Sequence, residues 1–273
     1  MLTSGKRLGG LEVAIKKIYT EAYPLYDDGE HKVFWLGIEE ADEEKGILTN
    51  QYMIVDGEEA ALLDPGGYFI FDRVARNVLS KIDPMKVKYL LYSHQDPDVI
   101  GTINLWYEET PNAKIVISSL WVRFVPHLAV TGSSRLLEIP DRGMRLKLGS
   151  SIIYALPAHY LHSPGNFSFY DEKSGILFSG DIGAAAFPEG EWYLFVDNFE
   201  SHTQYMEGFH RRYMSSTKAL RAWVRLIRRL DPRVIAPQHG AIFEGENVKK
   251  FLNWLDNLEV GIDVNEHLFD IVL

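Results

Sequence analysis

A chain of 273 residues with 38 acidic and 28 basic side chains carries a formal charge of −10, and it contains no cysteine. The absence of thiols excludes disulfides, thiolate zinc sites and cysteine-ligated iron–sulfur clusters, so a protein-bound metal must use imidazole, carboxylate or carbonyl donors. The acidic balance argues against broad nucleic-acid binding, and no apolar run reaches the ~20 residues that span a bilayer.

At the N-terminus, Met1–Gly10 lacks the apolar stretch of a secretory signal, so a cytoplasmic location is expected. Strands are predicted at His31–Leu36, Gln51–Val55 and Ala60–Leu63, the last two joined by the Asp56-Gly57 turn. Asp64-Pro65-Gly66-Gly67 then breaks the chain. Tyr68–Ile82 has apolar residues at helical spacing (Ile70, Val74, Val78, Leu79), and Val87–Tyr92 is a further strand. A helix from about Asp98 to Glu108 precedes the strand Lys114–Ser118. Three more strands follow at Ser151–Leu156, Asn166–Tyr170 and Ile176–Phe178, the last two linked by a polar turn at Glu172–Gly175. Ser216–Leu230 is an amphipathic helix with Leu220, Trp223, Ile227 and Leu230 on its apolar face, Ser216 or Thr217 as its cap and Pro232 as its stop. Val234–Ala236 is a short strand and Glu246–Glu259 the final helix. With no linker or repeat, residues 1–273 are expected to form one layered α/β domain.

Four motifs place polar side chains where apolar strands end. In His94-Gln95-Asp96-Pro97-Asp98, Pro97 pushes Asp96 toward extended geometry. Alternation then lets His94, Asp96 and Asp98 converge while Gln95 points away. His162 lies in the loop His159-Tyr160-Leu161-His162-Ser163-Pro164, with His159 as its competitor or as a supporting group. Asp181 follows Ser179-Gly180, and its two oxygens could serve two metals. His239 precedes Gly240, which lets the backbone pass close to a metal. Singly, each motif also reads as an ordinary loop or capping residue. Together they gather His and Asp residues that are costly to bury without a balancing ion.

This order of motifs resembles the metallo-β-lactamase superfamily and, within it, the flavodiiron branch, over most of the chain. Hydrolase branches carry H-x-H-x-D-H in the first motif, where this chain has His94-Gln95-Asp96-Pro97-Asp98-Val99. Leu161-His162-Ser163-Pro164, Ser179-Gly180-Asp181 and Gln238-His239-Gly240 match the flavodiiron pattern. The resemblance implies a four-layer αββα sandwich of the α/β (α+β) class with a non-haem diiron site at one edge. It implies one iron held by His94, Asp96 and His162, another held by Asp98 and His239, and Asp181 bridging them. Asp96 stands where the branch usually has Glu, and Val99 where a second histidine often follows, which leaves a position open to water.

Flavodiiron enzymes carry a flavodoxin domain after the metal domain, and the chain ends at Leu273. The expectation is therefore a standalone version similar to the oxygen-binding diiron proteins, cytoplasmic and homodimeric. It would bind two iron ions, with manganese or zinc as alternatives, since carboxylates suit iron or manganese and imidazole also suits zinc. The expected function is binding, and reduction, of dioxygen or nitric oxide with a separate electron-donor protein, or oxygen sensing. The alternative is a dinuclear zinc hydrolase in which Asp98 positions a hydroxide against an ester or phosphodiester.

Further residues attract attention. His202 and His210, with Tyr205 and Tyr213, could line the mouth of the site. Eight cations (Arg211, Arg212, Lys218, Arg221, Arg225, Arg228, Arg229, Arg233) crowd one segment of an acidic chain and could dock an acidic donor, or simply form a solvated helix face. Trp192–Val196 reads as core or interface. Gly66-Gly67 lacks a dinucleotide fingerprint, and Ser163 and Ser179 lack the setting of a nucleophile.

Overall fold

The computed structural model describes residues 20–38, 47–188 and 191–270; the expectation made on Met1–Gly10 lies outside them. The described strands form two sheets. The first runs β1 (Tyr23–Asp27), β2 (His31–Trp35), β3 (Tyr52–Asp56), β4 (Glu59–Leu63), β5 (Val87–Leu91), β6 (Lys114–Ser118) and β7 (Leu136–Ile139), in that spatial order. Its first four strands are antiparallel and the rest parallel. The second sheet has the order β13-β12-β11-β10-β9-β8, with β8 at Met144–Leu148, β9 at Ser151–Pro157, β10 at Phe167–Asp171, β11 at Ile176–Gly180, β12 at Val234–Pro237 and β13 at Phe243–Glu244.

Both faces of each sheet are covered, so the central strands are apolar along their whole length rather than alternating. The pleat still sorts their side chains. In β2, Val33 and Trp35 face the second sheet while Phe34 faces outward; in β4, Ala61 and Leu63 face inward while Ala60 and Leu62 face outward. The inner set meets Leu146, Ile153, Phe167, Phe169 and Phe178 of the second sheet. Outside the first sheet pack α1 (Phe71–Leu79), α2 (Pro97–Ile100) and α3 (Ile103–Glu109), with Val74, Val99 and Trp106 buried there. Outside the second pack α4 (Phe199–Tyr213), α5 (Thr217–Leu230) and α6 (Glu246–Asn257), through Met206, Trp223 and Phe251. The result is the four-layer αββα order expected. No helix among the described residues is long and apolar enough to cross a membrane.

Some elements depart from expectation. The helix expected from Asp98 to Glu108 is two, because Thr102 turns its amide and its hydroxyl to the Gly66 carbonyl (3.3 and 2.6 Å) instead of continuing the helix. Tyr68–Ile70 is a 3₁₀ turn, and the α-helix after it stops at Leu79. Strands β1, β7 and β8 and helix α4 escaped the periodicity. The three strands lie at sheet edges and bury few of their side chains. The start of α4 is a cap, Asn198 accepting from the Ser201 amide at 3.0 Å.

A buried triad joins the two sheets. His31 of β2 places Nδ1 2.9 Å from Asp56 Oδ1 of β3 and Nε2 2.7 Å from Asp171 Oδ2 of β10, all three essentially inaccessible. Lys173 Nζ lies 3.2 Å from Asp56 Oδ1, and Asp56 also accepts from the Ser150 amide and hydroxyl. Burial disfavours the imidazolium, but Asp171 and Asp56 outweigh it and raise its pKa above 6.5. Burial likewise opposes charge on Asp56, yet Ser150 and His31 hold its pKa at about 2. The folded state thus binds the His31 proton more tightly than the unfolded chain does. That stabilisation is complete below pH 6.5 and is lost as pH rises through the shifted value; the Asp56 contribution is complete above pH 3.8 and is lost toward pH 2. The urea midpoint should therefore fall on the alkaline side in wild type. His31→Gln, which leaves two buried carboxylates without their cation, should cost about 3–5 kcal/mol and flatten that alkaline arm; an unchanged arm would show that His31 does not carry it.

Candidate metal centre

The parallel strands β4 and β5 of one sheet and β11 and β12 of the other release their chains at the same edge of the sandwich, the place where parallel sheets present ligands. After β5 comes Tyr92-Ser93-His94. Asp96 is extended (φ −69°, ψ 149°) and Pro97 opens α2, as the proline requires. His94, Asp96, His162 and Asp181 bring one ligand atom each within 4.8 Å of one another. His162 Nε2 is 3.0 Å from Asp181 Oδ2 and 3.3 Å from Asp96 Oδ2. His94 Nε2 stands 3.7 Å from both Asp96 Oδ2 and Asp181 Oδ1. On the other side of Asp181, His239 Nε2 is 3.1 Å from Asp98 Oδ2 and 3.8 Å from Asp181 Oδ1. The six side chains thus form two half-sites that share Asp181.

The ring nitrogens that face away set the tautomers. Asp64, which follows β4, accepts from the Ser93 amide and hydroxyl, both at 2.7 Å. With its proton committed to Asp64, the Ser93 oxygen is left to accept from His94 Nδ1 at 2.9 Å, so Nε2 is the nitrogen that faces the cluster and the one a cation would take in place of its proton. His239 Nδ1 donates to the Leu48 carbonyl at 2.8 Å, with the same consequence for its Nε2. Gln95 is not turned away, as alternation implied. Its Nε2 donates to Asp96 Oδ1 (2.9 Å) and its Oε1 accepts from Ser163 Oγ (2.6 Å), which joins the first motif to the His162 loop. Gln238 donates to Asp98 Oδ2 at 3.2 Å. Asn50 donates to the Pro237 and Gly240 carbonyls (2.9 and 2.8 Å), and so fixes the turn that carries His239.

Burial works against every charge here. Nonetheless the carboxylates raise the pKa of His94, lift that of His162 to about 10 and that of His239 to about 9. Despite the same burial, the imidazoles hold Asp96, Asp98 and Asp181 below the usual carboxylate range. Asp64 goes the other way. Burial pushes its carboxyl up to about 6, against the pull of His94 and the bonds from Ser93.

Two buried atoms in the cluster, His94 Nε2 and Asp181 Oδ1, have no hydrogen-bond partner. Other buried atoms among the described residues are also unpaired, but these two face each other at 3.7 Å, too far for a hydrogen bond and suited to a cation between them. Three imidazoles and three carboxylates of this disposition have the donor chemistry to hold divalent cations.

The other residues singled out from sequence lie elsewhere. His159 donates Nε2–H to the Asp141 carbonyl at 2.7 Å and packs edge-on to Phe167; its contacts are not with the cluster. His202 is buried among Phe187, Tyr205 and Phe243 with Nδ1 2.6 Å from Tyr193 Oη. Burial drives its pKa down to about 4. Tyr205 donates to Glu191 at 3.1 Å. His210, also lowered to about 4 by burial, accepts from the Gly183 amide at 3.0 Å and so braces the turn after Asp181. Tyr213 and Phe209 stack on each other and flank the His162 ring at 6.1 and 6.3 Å. Val99 is fully buried in the apolar cluster outside the first sheet. Asp64, Ser93 and Asn50 were missed from sequence. Asp64-Pro65-Gly66-Gly67 did carry a signal, an acidic residue at the end of an apolar strand, as in the four motifs.

A family model described as ODP family beta lactamase matches residues 47–240. The chain is similar to the chemotaxis sensor ODP, whose structure as a peroxy diiron species is 48% identical, with a TM-score of 0.82 over 91% of this chain and 100% of that one. The apo state of the sensor from T. denticola gives 48% identity and a TM-score of 0.80, covering 91% and 99%. The flavodiiron protein from Giardia intestinalis shares the fold at 18% identity and a TM-score of 0.70, over 82% of this chain and 56% of that one. The flavo-diiron protein FprA2 of Clostridium acetobutylicum is 25% identical over 211 residues, 75% of this chain and 52% of that protein. Among the first three curated relatives the chain spans 36%, 54% and 52% of their length. A match over residues 47–240, on strands and loops that gather the six ligand candidates, means that the chain belongs to the ODP family of metallo-β-lactamase-like proteins.

Proposed function

We propose that this protein holds two iron ions between His94, Asp96, His162, Asp98, His239 and Asp181 and binds dioxygen there as a sensor. The observation that carries the reading is the shared Asp181 carboxylate, buried between two half-sites with one oxygen lacking any hydrogen bond. The likeness to a diiron chemotaxis sensor supports it. When bound, a ferrous pair supplies up to two electrons to a diatomic gas, and nitric oxide is the competing ligand. His94, Asp96 and His162 would hold one ion, Asp98 and His239 the other. Ser93 and Asp64 orient His94, the Leu48 carbonyl orients His239, and Gln95 ties Asp96 to the His162 loop. The wider reading treats residues 1–273 as one domain that acts as a homodimer and needs a separate donor protein to recover electrons after each reaction with oxygen.

Two measurements test this. Protein expressed with ample iron should contain two iron atoms per chain. Asp181→Ala should lose both, while Ser93→Ala, which frees His94 Nδ1 from its acceptor, should weaken metal binding by about 10–100-fold with the far-ultraviolet circular dichroism unchanged. Full metal content in Asp181→Ala would remove the bridge from the proposal.

The anaerobically reduced protein should change its visible spectrum on one exposure to oxygen and then stop unless a donor is added. Hydrolysis of ester or phosphodiester substrates should be absent. Two zinc ions after iron-replete expression, silence toward oxygen and efficient hydrolysis would instead establish the hydrolase.

A further inference from the structure

We propose that the basic face of α5 is a docking surface for an acidic segment of a partner protein, tied to the metal centre through Ser215. The tie rests on the function proposed above; the docking surface stands without it. Lys218, Arg221, Arg225 and Arg229 recur every three to four residues and so share one side of the helix. They run along roughly 16 Å of its axis. The opposite side, Leu220, Trp223, Val224 and Ile227, is buried in the outer core. Lys218, Arg225 and Arg229 are exposed, and no carboxylate among the described residues pairs with them. Arg221 Nε is held by the Asp256 carbonyl at 3.1 Å, and the neighbouring Arg228 is taken up by Asp256 and Asn253. Thr217, Lys218, Arg221 and Arg225 line a surface groove, with Glu259 as its one acidic wall residue.

This arrangement is unfavourable on its own terms. Like charges at helical spacing repel. The first turn of α5 holds Lys218 and no acidic residue, although a helix N-terminus favours negative charge. A ligand of opposite sign relieves both. The charge of the whole chain narrows the choice of ligand. At −10 it repels an extended polyanion or an anionic membrane. A short acidic segment feels the stripe and little else, since screening at physiological salt acts over about 8 Å.

The stripe begins where the turn between α4 and α5 touches the His162 loop. The Ser215 amide donates to the Tyr160 carbonyl at 3.0 Å, and its hydroxyl donates to the carbonyl of His162 itself at 3.4 Å. The next residue, Ser216, caps α5 by accepting from the Ala219 amide at 3.3 Å. Behind this strap, Gly261 packs so closely that a Cβ would fall 2.3 Å from the Ser215 carbonyl oxygen. A shift of the His162 loop is therefore passed to the first turn of α5, two residues before Lys218. Linkage makes the effect reciprocal: whatever moves the loop alters docking, and docking biases the loop by the same factor.

The probe is a fluorescein-labelled peptide of five glutamates, which extended spans about 16 Å, titrated by anisotropy against the full chain in low and high salt. The proposal expects binding that weakens with salt and falls more than about tenfold in Lys218→Glu/Arg225→Glu/Arg229→Glu. The reversal Arg142→Glu/Arg145→Glu/Lys147→Glu, which changes the net charge equally, should have a much smaller effect. Equal loss in both triple variants, or no loss in the α5 variant, would overturn the docking surface. A short DNA duplex or phosphatidylserine vesicles binding as tightly as the peptide would overturn the choice of ligand. For the tie, peptide affinity should differ about threefold or more between metal-free, reduced and oxygen-exposed protein, with matching changes in hydrogen exchange at the Ser215 and Ala219 amides. Identical affinity in all three states would overturn the tie. Failure to react with oxygen, with α5-dependent binding intact, would sink the function proposed above and leave the surface standing.

Discussion

The carboxylate of Asp181 lies among three imidazoles, away from solvent, and the upper edge of the sandwich is organised around it. Desolvating ionised groups is expensive, so the position is tenable only if opposite charges are held nearby with little freedom. The fold does this from four chain crossings. β11 delivers Asp181, the turn after β5 delivers His94, the loop between β9 and β10 delivers His162, and the turn after β12 delivers His239. The Gln238 amide donates to the Gly180 carbonyl at 2.8 Å and keeps two of these crossings in register.

What distinguishes this cluster from an ordinary buried ion pair is the condition of its outward atoms. His31, at the other cluster joining the sheets, has both ring nitrogens bonded to carboxylates, and those carboxylates are in turn bonded to Ser150, Ser151, Lys173 and Ser174. That network is closed, and its chemistry is cohesion. In the metal centre His94 and His239 are each held by one ring nitrogen and turn the other to the cluster. They are aimed by Ser93 and Leu48, and the unpaired His94 Nε2 and Asp181 Oδ1 face each other. Nearly the same residue types, arranged closed or open, separate a structural site from a binding site.

The supporting residues also explain why the site borders on the rest of the protein where it does. Gln95 joins Asp96 to Ser163, His210 holds the turn after Asp181, and Ser215 holds the His162 loop from the side of α5. Asp96, the turn after Asp181 and the His162 loop are therefore each backed by a different element. Tyr213 and Phe209 flank the His162 ring, while the site comes nearest to solvent at Asp96 and Asp98.

Much of this was legible in the sequence. Unbroken apolar runs such as Leu62-Leu63 and Leu90-Leu91, each ending in a polar residue, marked strands buried on both faces, and the absence of cysteine limited any metal to nitrogen and oxygen donors. The six ligand candidates announced themselves because metal-binding residue types stood at strand ends. What only the tertiary structure decided depends on contacts between distant segments. His31 meets Asp171 across 140 positions, and Leu48 meets His239 across 191. Neither pair leaves a local pattern. The same limit explains why His159 competed with His162 on paper. Both stand in one short loop, and which ring turns inward is settled by Asp141, Asp181 and Asp96, brought there by other strands. Local periodicity reports which face of a strand is apolar; it does not report which strand lies opposite.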